Sequence, residues 1–143
     1  MLIFKRFEPK DKEVINAWLK FDQLGMKFLF SYATDNFLHL IDFKTRYLWM
    51  VSRDNAIIGF FDFEIENANK GSFSLYLSPE YRGKRLGVIL LKQALDLEEI
   101  RSVKVLEGGV EKDNFSSIKT LEKVGFKYKE TDDDGMLMYQ LNL

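Results

Sequence analysis

One stretch near the middle of the chain joins a predicted strand to a long predicted helix through a short basic loop. Apolar and polar residues alternate from Ser72 to Leu77, which is the period of a strand with one buried face. After Pro79 the chain runs Arg82-Gly83-Lys84-Arg85-Leu86-Gly87, and apolar residues then recur at helical spacing through Leu97. A helix entered this way offers free backbone N–H groups and partial positive charge, which suit an anion such as a diphosphate.

The remaining patterns predict a single domain, residues 1–143, in which strands and helices are mixed. Predicted strands are 2–7, 47–52, 56–65, 72–77, 103–110, 127–131 and 136–141. Predicted helices are 9–21, 34–43, 86–97 and 114–124, the last of them capped by Asp113 or Asn114 and ended by Gly125. The element order is therefore βααβββαβαββ.

Composition excludes several classes of function. The net charge is −1, so bulk electrostatics favour neither a nucleic acid nor an anionic membrane. The chain has no cysteine and one histidine, His39, so a metal site and a cysteine nucleophile are unsupported. Charge follows too early after Met1 for a signal peptide, and no apolar run approaches the ~20 residues of a membrane span. We expect a cytoplasmic protein with no metal, no nucleic-acid partner and no membrane partner.

Two motifs resemble signatures of the GCN5-related N-acetyltransferase (GNAT) family. The basic loop is similar to the family's acyl-coenzyme A loop, Gln/Arg-x-x-Gly-x-Gly/Ala, with Arg82 and Gly87 matching and Arg85 at the position of the first glycine. The run 110–126 resembles the second signature, in which a strand leads to Asn114 and a short helix ends in Gly-Phe. The element order also agrees from end to end. The resemblance implies an α+β fold, with a GNAT-like mixed, mostly antiparallel twisted sheet and helices on both faces.

The resemblance also implies acetyl-coenzyme A as co-substrate. In such proteins the strand before the loop and the strand before the asparagine diverge and hold the pantetheine arm between them. The implied cofactor-binding residues are Leu75, Tyr76 and Leu77 for pantetheine, Arg82, Gly83, Lys84, Arg85, Leu86, Gly87 and Val88 for the diphosphate, and Asn114 and Ser117 on the far side. We expect the Arg82 and Arg85 side chains to contact phosphate rather than protein carboxylates. For Asn114, a plain helix cap remains the alternative.

The residues that would transfer protons are unknown. Leu121 stands where the family often has a tyrosine as general acid, and Gly71 and Gly109 stand near the positions where members carry a basic carboxylate. The remaining candidates are carboxylates and phenols elsewhere in the chain: Glu64, Tyr76, Glu111, Tyr128 and Tyr139.

Three functions stay open on these grounds. The first is direct acetyl transfer in a ternary complex to the primary amine of a small molecule or peptide. The resemblance implies that 28–34 shapes the acceptor site, where Asp35, Asp42 or Glu64 would hold a cationic amine. The second is a non-catalytic acyl-coenzyme A binding or sensor module, which the residues at 71, 109 and 121 favour. A nucleic-acid binder is least supported, because the loop offers only three basic residues. A homodimer stays open.

Overall fold

The computed structural model describes residues 1–22 and 44–143, and these contain one seven-stranded sheet in the order β1-β2-β3-β4-β5-β7-β6. The strands are β1 Ile3–Arg6, β2 Arg46–Arg53, β3 Ala56–Ile65, β4 Lys70–Leu77, β5 Val105–Val110, β6 Lys127–Thr131 and β7 Leu137–Asn142. The α-helices are α1 Lys12–Phe21, α2 Leu86–Ala94, α3 Glu98–Arg101 and α4 Phe115–Val124. The predicted helix 34–43, the acceptor segment 28–34, Asp35, His39 and Asp42 lie outside the described residues.

Neighbouring strands are antiparallel except for β4 and β5, which run parallel. The backbone pairing between β4 and β5 begins where Lys70 lies opposite Val105. It ends where Phe73 lies opposite Gly108. Beyond that point β4 stays on β3 and β5 stays on β7. A gap therefore opens between β4 and β5 towards their carboxyl ends, where the sequence places the basic loop and Asn114.

Helices cover both faces of the sheet, as predicted. On one face α1 buries Ile15 and Leu19 against Leu48, Met50 and Phe60. On the other face, α2, α3 and α4 bury a larger set with Val51, Phe61 and Phe63 at its centre: Leu86, Leu90, Leu91, Ala94, Ile100 and Leu121. β2 and β3 are nearly continuous apolar runs whose successive side chains point to opposite faces, so each strand contributes to both clusters.

Two predicted helix details are wrong. The helix after the loop ends at Ala94 rather than Leu97, because Leu97 is extended and begins the short helix α3, whose first turn carries Glu98 and Glu99. The second detail concerns α1, where the sequence spaces Val14, Ala17, Trp18 and Phe21 at three and four residues and so predicts one apolar face. The buried residues of α1 are instead Ile15 and Leu19, and Phe21 is 82% exposed. The inward spacing continues instead to Asp22, which is buried.

Residues 9–11 form a separate 3₁₀ turn, so α1 begins three residues later than predicted, at Lys12. The other boundaries within the described ranges agree with prediction to within one or two residues. The two hairpins form as expected, and the turn between β2 and β3 has Asp54 and Asn55 in the left-handed region. α4 ends at Gly125, whose φ is 112°, and the Phe126 N–H donates to the Leu121 carbonyl to close the terminus. None of the helices found in the described ranges has the length and apolar character that a membrane crossing requires.

Candidate functional site

A cavity of about 340 Å³ lies at the wide end of the gap between β4 and β5. It is lined by the end of β4, the basic loop, the first turn of α2 and one side of α4. Its lining includes Leu75, Tyr76, Leu77, Arg82, Gly83, Arg85, Leu86, Gly87, Val88, Asn114 and Ser117. The fold therefore brings together every residue that the sequence assigned to the cofactor except Lys84, whose ammonium lies 5.9 Å from the centre of the Tyr81 ring.

The loop residues that line this cavity carry backbone amides without partners in the described part of the chain. Among the described residues no acceptor is found for any N–H group from Gly83 to Val88. Gly83 and Arg85 both have positive φ, 75° and 63°, which turns successive amides towards one side. Such a concave set of N–H groups at a helix entrance binds anions.

Arg85 adopts the backbone conformation that glycine adopts most easily. It is the N-cap of α2, with φ 63° and ψ 13°, in the left-handed region. The sequence showed arginine where the resemblance calls for glycine, and the dihedral angles give the physical reason for that preference. The arginine side chain is exposed and lines the cavity, so this chain combines backbone strain with an added positive charge at the loop.

Replacing Arg85 with glycine should therefore stabilise the folded protein, by up to about 1 kcal/mol, because the strain of a left-handed non-glycine residue is relieved. The matched control is Gly83→Ala, since an added Cβ there meets nothing within 4 Å and tests the backbone alone. It should lower stability by a similar amount. Urea unfolding of both variants measures the effect, and a less stable Arg85→Gly protein would contradict it.

The expectation that the Arg82 side chain contacts phosphate rather than a protein carboxylate is wrong. Its Nη2 donates to the Asp22 carboxylate at 2.6 Å and its Nε donates to the Leu77 carbonyl at 3.0 Å. Asp22, at the end of α1, was not singled out from the sequence. The sequence did contain a signal for this residue: Asp22 continues the spacing of the inward-facing residues Ile15 and Leu19.

Asn114 caps α4, as its alternative interpretation stated. Its Oδ1 accepts a hydrogen bond from the Ser117 N–H at 3.3 Å. Asn114 can cap α4 and also line the cavity, because the cap uses the oxygen of its side-chain amide and the NH₂ group is a separate donor. Contact between Asn114 and a coenzyme stays a prediction.

A second, inner cavity of about 130 Å³ continues into the gap between the strands. It shares Leu75, Asn114, Ser117 and Thr120 with the outer cavity, so the two form one path. Leu121 and Glu111 line the inner part. An apolar side chain thus faces the gap at the position where the family often has its tyrosine.

The position of Gly71 has no room for a carboxylate, because a Cβ there would collide with the Phe63 ring. A Cβ at residue 109 would lie 3.3 Å from the Met138 sulfur, so a flexible side chain would have to shift by only a few tenths of an ångström. Packing therefore explains the glycine at position 71 and not the one at position 109.

Of the five proton-transfer candidates, only Tyr76 and Glu111 line these cavities. The Tyr76 hydroxyl donates to Asp22 at 2.7 Å on the α1 side of the sheet. Burial, and then this hydrogen bond, raise the pKa of the Tyr76 phenol above its ordinary range, which makes it a poor acid.

The other three candidates lie elsewhere. Tyr139 is buried in the core beneath α2 and α4, where burial raises its pKa. Tyr128 is exposed on the edge strand β6 and bonds to Thr131. Glu64 pairs with Arg46 at 3.8 Å on β2. In this structure none of these three lines the path between the strands.

The raised pKa of Tyr76 predicts a loss of stability in alkali. The unfolded phenol loses its proton near its ordinary pKa of 10.0, whereas the folded one keeps it. The contribution of this phenol to the free energy of unfolding is therefore fully present below that pH. Above it, the contribution decreases by up to about 1.4 kcal/mol per pH unit. Denaturant unfolding between about pH 9 and 11.5 should show a steeper loss for the parent than for Tyr76→Phe. Equal slopes would contradict this.

Several lining residues were missed by the sequence reasoning. They share one face of α4 at helical spacing: Ser116, Lys119, Thr120 and Lys123. No ion pair is recorded for Lys119, Lys123 or Arg85 within the ranges 1–22 and 44–143. The i, i+3, i+4, i+7 spacing of small polar and basic residues was the usable signal.

Comparisons with known proteins agree with this geometry. The family model described as the acetyltransferase (GNAT) family matches residues 14–126. A spermidine N(1)-acetyltransferase of Thermoplasma acidophilum is 33% identical over 86 residues, which are 59% of this chain and 53% of that protein. The matched region thus spans about half the length of that curated relative.

Solved structures share the fold. The Campylobacter jejuni N-acetyltransferase PseH, in complex with acetyl coenzyme A, superposes with a TM-score of 0.74 at 21% identity and covers 99% of each chain. An aminoglycoside acetyltransferase in complex with coenzyme A gives 0.85 at 14% identity, over 99% of this chain and 95% of that one.

Proposed function

Because the chain belongs to the GNAT acetyltransferase family, we propose that it is an N-acetyltransferase that moves an acetyl group from acetyl-coenzyme A to a primary amine. One observation carries the proposal. The amides from Gly83 to Val88 have no acceptor among residues 1–22 and 44–143, and their loop lines a cavity that continues into the gap between β4 and β5. Such a path fits a ligand that has an anionic head group and a long, thin arm.

Coenzyme A would bind with its diphosphate on the loop amides and its pantetheine arm in the gap. Arg85, Lys119 and Lys123 surround the outer cavity and supply positive charge for phosphate groups. Beyond Phe73 the ladder between β4 and β5 has ended, so backbone groups on the facing edges can bond to the amides of the arm. The solved relatives that carry coenzyme A or acetyl-coenzyme A support this arrangement.

In the reaction, the neutral amine attacks the thioester carbonyl while both substrates are bound. The new nitrogen–carbon bond forms, the carbon–sulfur bond breaks, the nitrogen loses one proton, and the departing thiolate gains one. Glu111, which lines the inner cavity, takes the proton from the amine, directly or through a water molecule. Leu121 offers no proton, so the thiolate leaves without a strong general acid and takes its proton from water, while Glu111 returns the amine's proton to solvent.

The acceptor is proposed to be a cationic amine that approaches from the α1 side of the sheet. One ion-paired cluster there contains four carboxylates and two basic side chains. The carboxylates belong to Asp62, Glu64, Glu66 and Glu107. They form ion pairs with the two basic side chains, Arg46 and Lys70. The excess of negative charge favours a polyamine or amino sugar. The names of the relatives, which refer to spermidine and to aminoglycosides, support this class.

The test combines binding with turnover. Calorimetry with coenzyme A measures the first half of the proposal, and release of free thiol from acetyl-coenzyme A measures the second. The amine panel contains spermidine, an aminoglycoside, an amino sugar and peptide N-termini. Glu111→Gln is expected to lower kcat by about 10²-fold and leave coenzyme A affinity unchanged. Failure to bind coenzyme A would overturn the whole proposal.

A second candidate, a non-catalytic acyl-coenzyme A sensor, is favoured by one observation. Leu121 lines the inner cavity where the family often has a tyrosine, so the gap lacks that acid. Tight coenzyme A binding without thiol release for any amine would select the sensor. A single domain over 1–143, a cytoplasmic location and a homodimer stay predictions.

A further inference from the structure

A buried polar cluster joins the end of α1, the strand β4 and the start of the loop. It consists of Asp22, Tyr76 and Arg82. The Asp22 carboxylate accepts from Arg82 Nη2 at 2.6 Å and from the Tyr76 hydroxyl at 2.7 Å. Only 6% of the Asp22 side chain is exposed. The two donors converge on one carboxylate from two different parts of the chain.

The guanidinium of Arg82 makes three contacts at once. Its Nε donates to the Leu77 carbonyl at 3.0 Å, its Nη groups reach Asp22, and its Cζ lies 5.3 Å from the centre of the Tyr76 ring. A planar fork can satisfy this geometry, whereas the single ammonium of a lysine cannot. The side chain thus ties the first residue of the loop to the last residue of β4 and to α1.

The amides from Gly83 to Val88 follow directly after this tie. Arg82 is extended, with φ −79° and ψ 156°, and its own N–H donates to the Pro79 carbonyl at 3.2 Å. The loop therefore begins from a residue held by both its main chain and its side chain. The direction in which the following amides point depends on that starting orientation.

We propose that Asp22 is a positioning residue for the coenzyme A loop, acting through Arg82. The proposal rests on the proposed function, because it assumes that the loop amides bind the diphosphate. Asp22 is not among the residues that line either cavity, and it follows a helix that packs on the opposite face from α2 and α4. Its carboxylate acts from outside the site by holding the fork, and so the loop, in the binding geometry.

The direct test is Asp22→Asn, with coenzyme A affinity measured by calorimetry. Without the charge of Asp22, the guanidinium of Arg82 is held less tightly and the loop that follows it can shift. We expect affinity to fall by about tenfold or more, because small displacements of binding groups are costly. The matched control is Asp11→Asn, at the other end of the same helix. Asp11 is also buried, and its carboxylate accepts from the Glu8 N–H at 2.9 Å. The control should keep the affinity of the parent.

A second readout separates positioning from direct phosphate contact. Arg82→Lys keeps the positive charge but loses the fork, so it should weaken binding about as much as Asp22→Asn. Arg82→Gln, which removes the charge, should leave the dependence of affinity on salt the same as in the parent, because Arg82 neutralises Asp22 rather than a phosphate. Arg85→Ala, which removes a cation from the cavity, should make that dependence shallower.

The outcomes are distinct. If the parent binds coenzyme A and folded Asp22→Asn binds it equally well, the positioning role is wrong and the proposed function stands. If the parent does not bind, both are wrong. Should Asp22→Asn fail to fold, Arg82→Lys decides, because a lysine variant with the affinity of the parent would show that charge alone suffices.

Discussion

Replacing Gly87 with valine is expected to weaken coenzyme A binding by about 100-fold while the protein stays folded. Gly87 lies in the first turn of α2 and lines the outer cavity. Phosphate oxygens must come within about 3 Å of the amides to accept from them, and the branched side chain of valine occupies that space. Losing one or two charge-assisted bonds, at about 1.5–3 kcal/mol each, accounts for the expected loss.

The matched control is Gly87→Ala. A Cβ at this position would lie 3.5 Å from Thr120 Oγ1 and 3.7 Å from Leu77 Cδ1, which are ordinary contacts. Alanine should therefore leave the fold unchanged and weaken binding much less than valine. Calorimetry and thermal unfolding on the same samples measure both effects. A folded valine variant with the affinity of the parent would mean that the diphosphate does not bind on this loop.

Replacing Leu121 with tyrosine is expected to raise kcat at least about tenfold over the matched Leu121→Phe variant. Leu121 is 5% exposed and lines the inner cavity, so a phenol there faces the gap that would hold the thioester. A positioned general acid contributes typically 10²–10⁴-fold, and an unoptimised phenol is expected to supply a fraction of that. The two variants add the same ring, so their ratio isolates the hydroxyl.

The measurement is steady-state thiol release with saturating acetyl-coenzyme A and an amine that supports turnover. Thermal unfolding of both variants serves as the control, because a larger ring must fit beside Gly108, where a Cβ would lie 3.5 Å from Leu121 Cδ2. Equal kcat values in two folded variants would show that proton delivery to the leaving thiolate does not limit the rate. The parent's leucine would then cost nothing in turnover.

Much of the fold was predictable because local patterns and long-range packing agree in this chain. The apolar, β-branched and aromatic runs of β2 and β3 and the alternation along β4 predicted strands. Gly125 followed by Phe126 predicted where α4 ends. The helix after the loop was predicted too long. Leu95 and Leu97 pack against the same core as α2, so hydrophobic spacing did not show the break between α2 and α3.

The set of residues around the outer cavity was also largely predictable. A basic loop before a helix and an asparagine cap are local motifs, and their free amides follow from the geometry of any helix start. The lysines of α4 could have been added from their spacing alone. Local sequence thus indicated the kind of ligand that this region suits.

What the sequence by itself determined is the order of elements, the basic loop and the anion-binding character of its amides, because each depends on neighbours a few residues apart. Only the tertiary structure decided what the charged side chains do. Arg82 lies in a basic motif, yet its guanidinium binds Asp22, sixty positions earlier in the chain. Such a partner is set by how α1 packs on the sheet, and no local pattern carries that information. The same packing places Asp22 beside the Tyr76 phenol, and the packing of α4 on the other face leaves Leu121 facing the gap.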